Sequence, residues 1–336
     1  MRAPSFDHLV TLSDGFGLFE HADHAEPRHE HGYCVDDVAR LLVVVARQPD
    51  PDDAVVALGR MALEFLADAQ GVDGRVRNRR TAAGRWSGHH TVEDCWGRSV
   101  WAFGTAACHA PDDWMRQSAR AYFGHGVQPR SPWARSMAFA ALGAAEVLTE
   151  DPSHNEARLL LADAVTTIGR PSPDADWPWP EPRLTYANAV LAEALLAAGQ
   201  LLERADVVAD GVTMLGWLLR RETVDGHYSP TPVGGAGPGE SAPSFDQQPI
   251  EAAAMADACH RAFVVTGDTE WLAGLDMAVR WFSGANDAGT PMWDPATGGG
   301  YDGLHARGPN LNQGAESTLA LVSARQHAAR LISTSW

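Results

Sequence analysis

Segments of Ala, Leu and Val at helical spacing fill this chain, and the links between them alternate between short and long. The spacing predicts helices over 34–48, 53–70, 92–109, 112–124, 132–149, 154–169, 185–200, 203–221, 248–266, 269–283 and 314–332, with a shorter one near 4–12. Links 49–52, 110–111, 150–153, 200–203 and 266–268 are short, whereas 71–91, 170–184, 222–247 and 284–313 are long, with 125–131 the shortest of that second set. Short links make antiparallel helical hairpins and long ones carry surface loops. Six such hairpins predict an all-α fold, an (α/α)6 toroid of about twelve helices, as a single domain over 1–336. The helix after each long loop is then inner, and its N-terminus opens on the loop-bearing face. The C-terminal helix is the last inner one and pairs with the short N-terminal helix to close the ring. An elongated bundle would need no long loop at every second junction.

Charge narrows the partners. The net charge is −17, which excludes the basic face that nucleic acid or an anionic membrane requires. The 26 basic residues are all Arg. No apolar run approaches a membrane span and the N-terminus "MRAPSFDHLV" has no apolar signal core, so a cytoplasmic protein is expected. Its four cysteines contain no CxxC pair and form no disulfide framework; Cys34 and Cys95 read as small buried hydrophobes.

Carboxylates recur where inner helices begin. Asp36 and Asp37 open 34–48, Glu93 and Asp94 open 92–109, Asp246 and Glu251 flank the start of 248–266, and Glu316 opens 314–332. Helix capping explains an acid at any single start. The neighbours of these acids are different from those at plain turns. They are His31, Tyr33, Trp96, Arg98, Gln247, Gln248, Asn312 and Gln313, joined by Tyr186 and Asn188 at 185–200 and by His227, Tyr228, Tyr301 and Asp302 in the loops. Carboxylates and amides bond sugar hydroxyls in pairs, and aromatic planes take the C–H faces of sugar rings. In "DWPWPEP", prolines stiffen a loop carrying Trp177 and Trp179, which read as an outward stacking platform.

The motifs "HGYCVDDVAR", "EDCWGRSVWAFG", "FDQQPIEA" and "GGYDGL…NLNQGAEST" resemble a bacterial family of six-hairpin, glycosidase-like (α/α)6 proteins. Members are free-standing or fused behind glycosyltransferase domains. The likeness spans nearly the whole chain and implies the toroid and a carbohydrate-related role. Similar sequences often read "TDDNAR" in the first motif, where this chain has Val35 and Val38. The motif block begins at residue 6, and neither GxGxxG nor a P-loop is present, so nucleotide-sugar transfer is not expected.

Three functions follow as expectations. The first is a glycoside hydrolase acting on an oligosaccharide or glycoside, with a carboxyl pair drawn from Asp37, Glu93, Asp94, Asp246, Glu251 and Glu316. Glu93 is the expected acid, Asp37 the expected base, and a pair separation of about 6.5–9.5 Å, the inverting geometry, is expected. The second is a sugar epimerase or isomerase using loop histidines such as His29, His31, His89, His90, His227 and His305. The third is a non-catalytic carbohydrate-binding partner of a separately encoded glycosyltransferase. No cofactor and no metal are expected: "HADHAEPRHEH" lacks HExxH spacing, no EF-hand pattern occurs, and no GxSxG supports a serine nucleophile.

Overall fold

In the computed structural model, which describes residues 4–240 and 242–333, twelve helices run in chain order. They are α1 (Asp7–Thr11), α2 (Val35–Ala46), α3 (Asp53–Ala69), α4 (Asp94–His109), α5 (Asp113–Gly126) and α6 (Ala134–Glu150), then α7 (Asn155–Ile168), α8 (Ala189–Leu201), α9 (Ala205–Arg221), α10 (Pro249–Thr266), α11 (Glu270–Trp281) and α12 (Ala315–Ser333). Each even-numbered helix packs on the next even one, and α12 packs on α2 to close a ring. Each odd-numbered helix from α3 to α11 lies against the inner helix before it, and α1 lies against α12. This is the (α/α)6 toroid, with the inner and outer roles expected from loop length.

Burial follows the two roles. Inner α4, α6 and α8 are buried nearly all round, whereas outer α5, α7 and α9 bury one stripe and give the rest to solvent. Helices α4 and α6 approach so closely that only glycine fits at the crossing: a Cβ on Gly104 would lie 2.2 Å from the Gly143 carbonyl oxygen, and one on Gly143 equally close to that of Val100.

Side-chain caps occur on outer helices α3, α5 and α7, although outer α1, α9 and α11 lack them. Outer α3 and α5 begin with true caps, Asp52 accepting from the Val55 N–H (2.9 Å) and Asp112 from that of Met115 (2.7 Å). No side chain caps inner α2, α4, α6, α8 or α10. The acids of α2 and α4 therefore do something other than cap.

The long loops contain short strands that sequence did not reveal. β1 (Ala22–Asp23) pairs with β2 (Glu26–Pro27), and β3 (Tyr33–Cys34), β4 (Arg79–Arg80) and β5 (Trp86–Ser87) form a small antiparallel sheet. β6 (Thr223–Val224) pairs with β7 (His227–Tyr228), and β8 (Gly303–His305) with β9 (Gly308–Asn310). At two or three residues each, they lie below the length at which alternation can be read. β3 runs directly into α2, so its pairing with β4 fixes the start of that helix beside Arg79. Among the described residues, no helix is long and apolar enough to cross a membrane.

Candidate carbohydrate cleft

Four carboxylates and two arginines alternate across the loop-side mouth of the ring. Arg40, one turn below Asp37 on α2, donates to Asp37 (2.7 Å) and reaches Glu316 on α12 (2.8 Å). Arg98, one turn below Asp94 on α4, donates to Asp94 (3.1 Å) and reaches Asp36 on α2 (2.8 Å). Asp94 also accepts from Ser136 (2.9 Å) and from the Tyr186 hydroxyl (2.8 Å). Each guanidinium thus joins an acid on its own helix to one on the neighbouring helix, Arg40 through both terminal nitrogens of its planar fork and Arg98 through Nη1 alone.

Above this row lies a cleft with two lobes. One, of about 500 Å³, is lined by Glu20, His21, Cys34, Asp37, Arg79, Gln248, Asp302, Asn310 and Glu316 among others. The other, of about 460 Å³, is lined by Asn78, Glu93, Asp94, Trp133, Arg135 and Glu181. Asp36, Arg98 and Tyr186 belong to both. Arg135 is held by Glu181 (2.7 and 2.9 Å) and sits 5.0 Å from the centre of the Tyr186 ring. Trp133 presents its side chain to the second lobe at 61% exposure.

Burial divides the acids by protonation. It pushes Asp37 up to about 7, with Arg40 opposing and Glu316 and Asp36 reinforcing. Burial also works against ionisation of Asp36, but Arg98 and Arg40 overcome it and hold that group below the ordinary aspartate value. Burial raises Asp302 as well. Near neutral pH the cleft therefore holds both a protonated and an ionised carboxyl. The Glu20, Cys34 and Asp37 ligand atoms lie within 4.8 Å of one another. They fit a metal poorly, because Arg79 and Arg40 already neutralise the two carboxylates and burial, helped by Asp36 and Asp37, holds the Cys34 thiol protonated.

Of the residues singled out by sequence, the cleft gathers Asp36, Asp37, Glu93, Asp94, Arg98, Tyr186, Gln248, Asp302 and Glu316. The others lie outside its lining. Glu251 is buried and accepts from the Ala187 (2.5 Å) and Asn188 (3.2 Å) N–H groups, fixing the approach to α8. Asn188 is buried and bonded to Arg135 (3.0 Å). Asp246 pairs with His305 (2.5 Å). Gln247 and His227 both bond Asp287 (2.5 and 2.8 Å), and Tyr228 donates to Glu222 (2.9 Å). Tyr33 donates to Asp14 (2.6 Å), and the Trp96 N–H to the Gly126 carbonyl (3.0 Å). Asn312 accepts from the His24 backbone N–H (3.0 Å) and Gln313 from the Thr297 hydroxyl (2.5 Å), both within the loops. Tyr301 is half-buried, and exposed His31 packs edge-on against His21, ring centres 4.9 Å apart.

The expected platform needs correction. Trp177 and Trp179 are 6% and 1% exposed and pack on Trp217, ring centres 5.1 and 5.8 Å apart. Proline stiffens a loop without setting which way its rings face. Reading the sequence also missed Arg40, Glu20, Arg79, Trp133 and Arg135. Arg40 was within reach, since "DDVAR" and "DCWGR" share an acid followed by Arg one turn later.

No family model and no curated protein matches the chain by sequence. Solved structures share its fold. A cellobiose 2-epimerase from Spirochaeta thermophila is 11% identical, with 96% of this chain and 93% of that one aligned at a TM-score of 0.69. A D-mannose isomerase is 11% identical over 97% and 95% of the two chains, TM-score 0.67. A GH76 alpha-mannanase from Bacteroides thetaiotaomicron is 10% identical over 96% and 93%, TM-score 0.60. The toroid is thus one that both sugar epimerases and glycoside hydrolases use.

Proposed function

We propose that the protein is a glycoside hydrolase in which Asp37 is the general acid and Glu316 the general base. The observation that carries this reading is the Glu316–Arg40–Asp37 bridge on the cleft floor. Arg40 takes Oδ1 of Asp37, which leaves Oδ2 to hold a proton near neutral pH and give it to the glycosidic oxygen. The same guanidinium anchors Glu316, which is 41% exposed on its side chain and able to take a proton from an attacking water. Two bonds to one planar fork keep the bonded oxygens within roughly 8 Å of each other, a limit that admits the inverting separation. The proposed roles differ from the sequence expectation of Glu93 as acid and Asp37 as base: burial favours the protonated form of Asp37, and Glu93 lines the other lobe.

Two lobes on either side of Asp36, Arg98 and Tyr186 leave room for sugar on both sides of a scissile bond, which favours an oligosaccharide. Carboxylates outnumber arginines along the cleft, which suits an oxocarbenium-like transition state and repels anionic sugars. Epimerisation by paired imidazoles has less support, since His21 is the cleft's one histidine among the described residues.

The test is a panel of neutral oligosaccharides assayed for new reducing ends, with NMR of the first anomer formed. Asp37→Asn and Glu316→Gln should each lower kcat on the order of 10²–10⁴-fold. Unchanged turnover of a verified substrate by either variant rejects the pair. A new epimer without bond cleavage would favour the epimerase, and binding without any turnover the non-catalytic reading.

A further inference from the structure

The inner helices begin at the sugar cleft, so their C-terminal ends meet at the opposite mouth. A second cavity of about 660 Å³ opens there. Between it and the cleft lies a small cavity of about 50 Å³, the neck, which shares Arg40 and Glu316 with the cleft and Glu193 and Asp257 with the far cavity. The sugar-site reading makes no use of this end of the molecule.

Most of the charge there is already committed. Asp257 accepts from Arg47 (2.9 Å) and bonds His327 (2.5 Å), while Glu146 accepts from Arg261 (3.2 Å) and bonds His109 (3.0 Å). Glu193, on α8, is the exception. It is 4% exposed, lines both the neck and the far cavity, and makes no hydrogen bond or ion pair with any described residue. Its carboxyl oxygens open on the cavity, so the donor that the protein does not supply comes from whatever occupies that space.

The chemistry around it selects the missing donor. Helices α2, α4, α6, α10 and α12 bring the negative ends of their dipoles to this mouth. His260, which faces the same cavity, is kept uncharged by burial and by His327 beside it, and so offers a lone pair. An anion has no N–H or O–H to give, so it cannot supply the donor that Glu193 lacks. A bare metal ion would find one uncommitted carboxylate, too few ligands for a stable site. We propose that this cavity is a binding site for a small organic ammonium ion, whose N–H groups bond Glu193 at the entrance to the neck. Arg47, Arg261 and Arg330 line the cavity too, with Arg47 bonded to Asp257 and Arg261 to Glu146.

Butylamine, n-butanol and butyrate carry three head groups on one chain length and are the probes. At about pH 8, near the Glu193 titration, butylamine should raise Tm saturably, and the other two should not. The Trp101 indole N–H, buried beside the neck without a partner among the described residues, should shift in NMR spectra of the wild-type protein with the same concentration dependence. Glu193→Gln and Glu193→Met should both abolish these effects; Asp302→Asn, in the sugar cleft, should preserve them. Equal effects of butanol or butyrate overturn the proposal, as do effects that survive loss of Glu193. No saturable effect at all means that the cavity holds water only. None of these readouts needs a sugar substrate, so they stand or fall apart from the hydrolase reading.

Discussion

Replacing Asp37 by Asn should change how stability depends on pH, and the size of the change follows from burial. The carboxyl ionises near its ordinary value of 3.8 when unfolded and at about 7 when folded. Between those limits the native state binds the extra proton, so unfolding releases it and stability falls as pH rises. Below about pH 4 both states are protonated and Asp37 contributes no slope; above about pH 7 both are ionised and the whole penalty is present. The gap corresponds to about 4 kcal/mol, and its side chain is only 5% exposed, so solvent screening takes little from it.

Asparagine keeps the shape and removes the titration. Urea unfolding of wild type and Asp37→Asn at a series of pH values isolates this group, because every other titration is common to both curves. A fixed offset is expected from the bond Arg40 loses. On top of it, the variant should gain about 4 kcal/mol relative to wild type between about pH 4 and pH 8. The alkaline limb of kcat/KM should turn near pH 7 for the same reason. Parallel stability curves would show that Asp37 ionises as an ordinary aspartate, and it could not then hold the proton the proposed mechanism needs.

Other outcomes test the cleft and its frame. Trp133→Ala should raise KM for oligosaccharides roughly 5- to 10-fold, the loss of about 1 kcal/mol of ring contact, and leave kcat nearly unchanged; an unchanged KM removes Trp133 from the sugar path. Glu251→Ala strands the Ala187 and Asn188 N–H groups and should cost about 2–4 kcal/mol of stability, with kcat of the folded protein retained. Loss of kcat at full stability would return Glu251 to the catalytic set. Gly143→Ala forces a Cβ against the Val100 carbonyl and should lower stability by about 1–3 kcal/mol in chemical unfolding; no change would mean that α4 and α6 are not in close contact there.

What could be read from sequence was local. Apolar period located the helices, and loop length sorted inner from outer, because a helix hairpin needs few linking residues whatever surrounds it. Position alone could not say which acid faces the axis. Asp36, Asp37, Asp94, Glu251 and Glu316 all fall in the first turn of an inner helix, yet Glu251 turns away. Helix phase explains it. On α12 the neck is lined by Glu316, Leu319, Ala320 and Ser323, and on α2 by Arg40, Val43 and Val44, which continue the stripe of Asp36 and Asp37 at spacings of three and four. On α10 the stripe is Ile250, Ala253, Ala254 and Asp257, and Glu251, one residue out of phase with Ile250, swings about 100° toward α8.

The same phase describes the whole axis. Each stripe is polar at the cleft, apolar through the neck and, where it runs on to Arg47, Glu146, Glu193 or Asp257, polar again at the far mouth. A helix needed only for packing would keep its central stripe apolar to the end, since each polar group buried there costs free energy unless it is bonded. Two polar ends separated by an apolar middle therefore mark two separate demands on the ring. The first is met by the cleft proposed to bind sugar. Glu193, bonded to none of the described residues, is where the second has yet to be met.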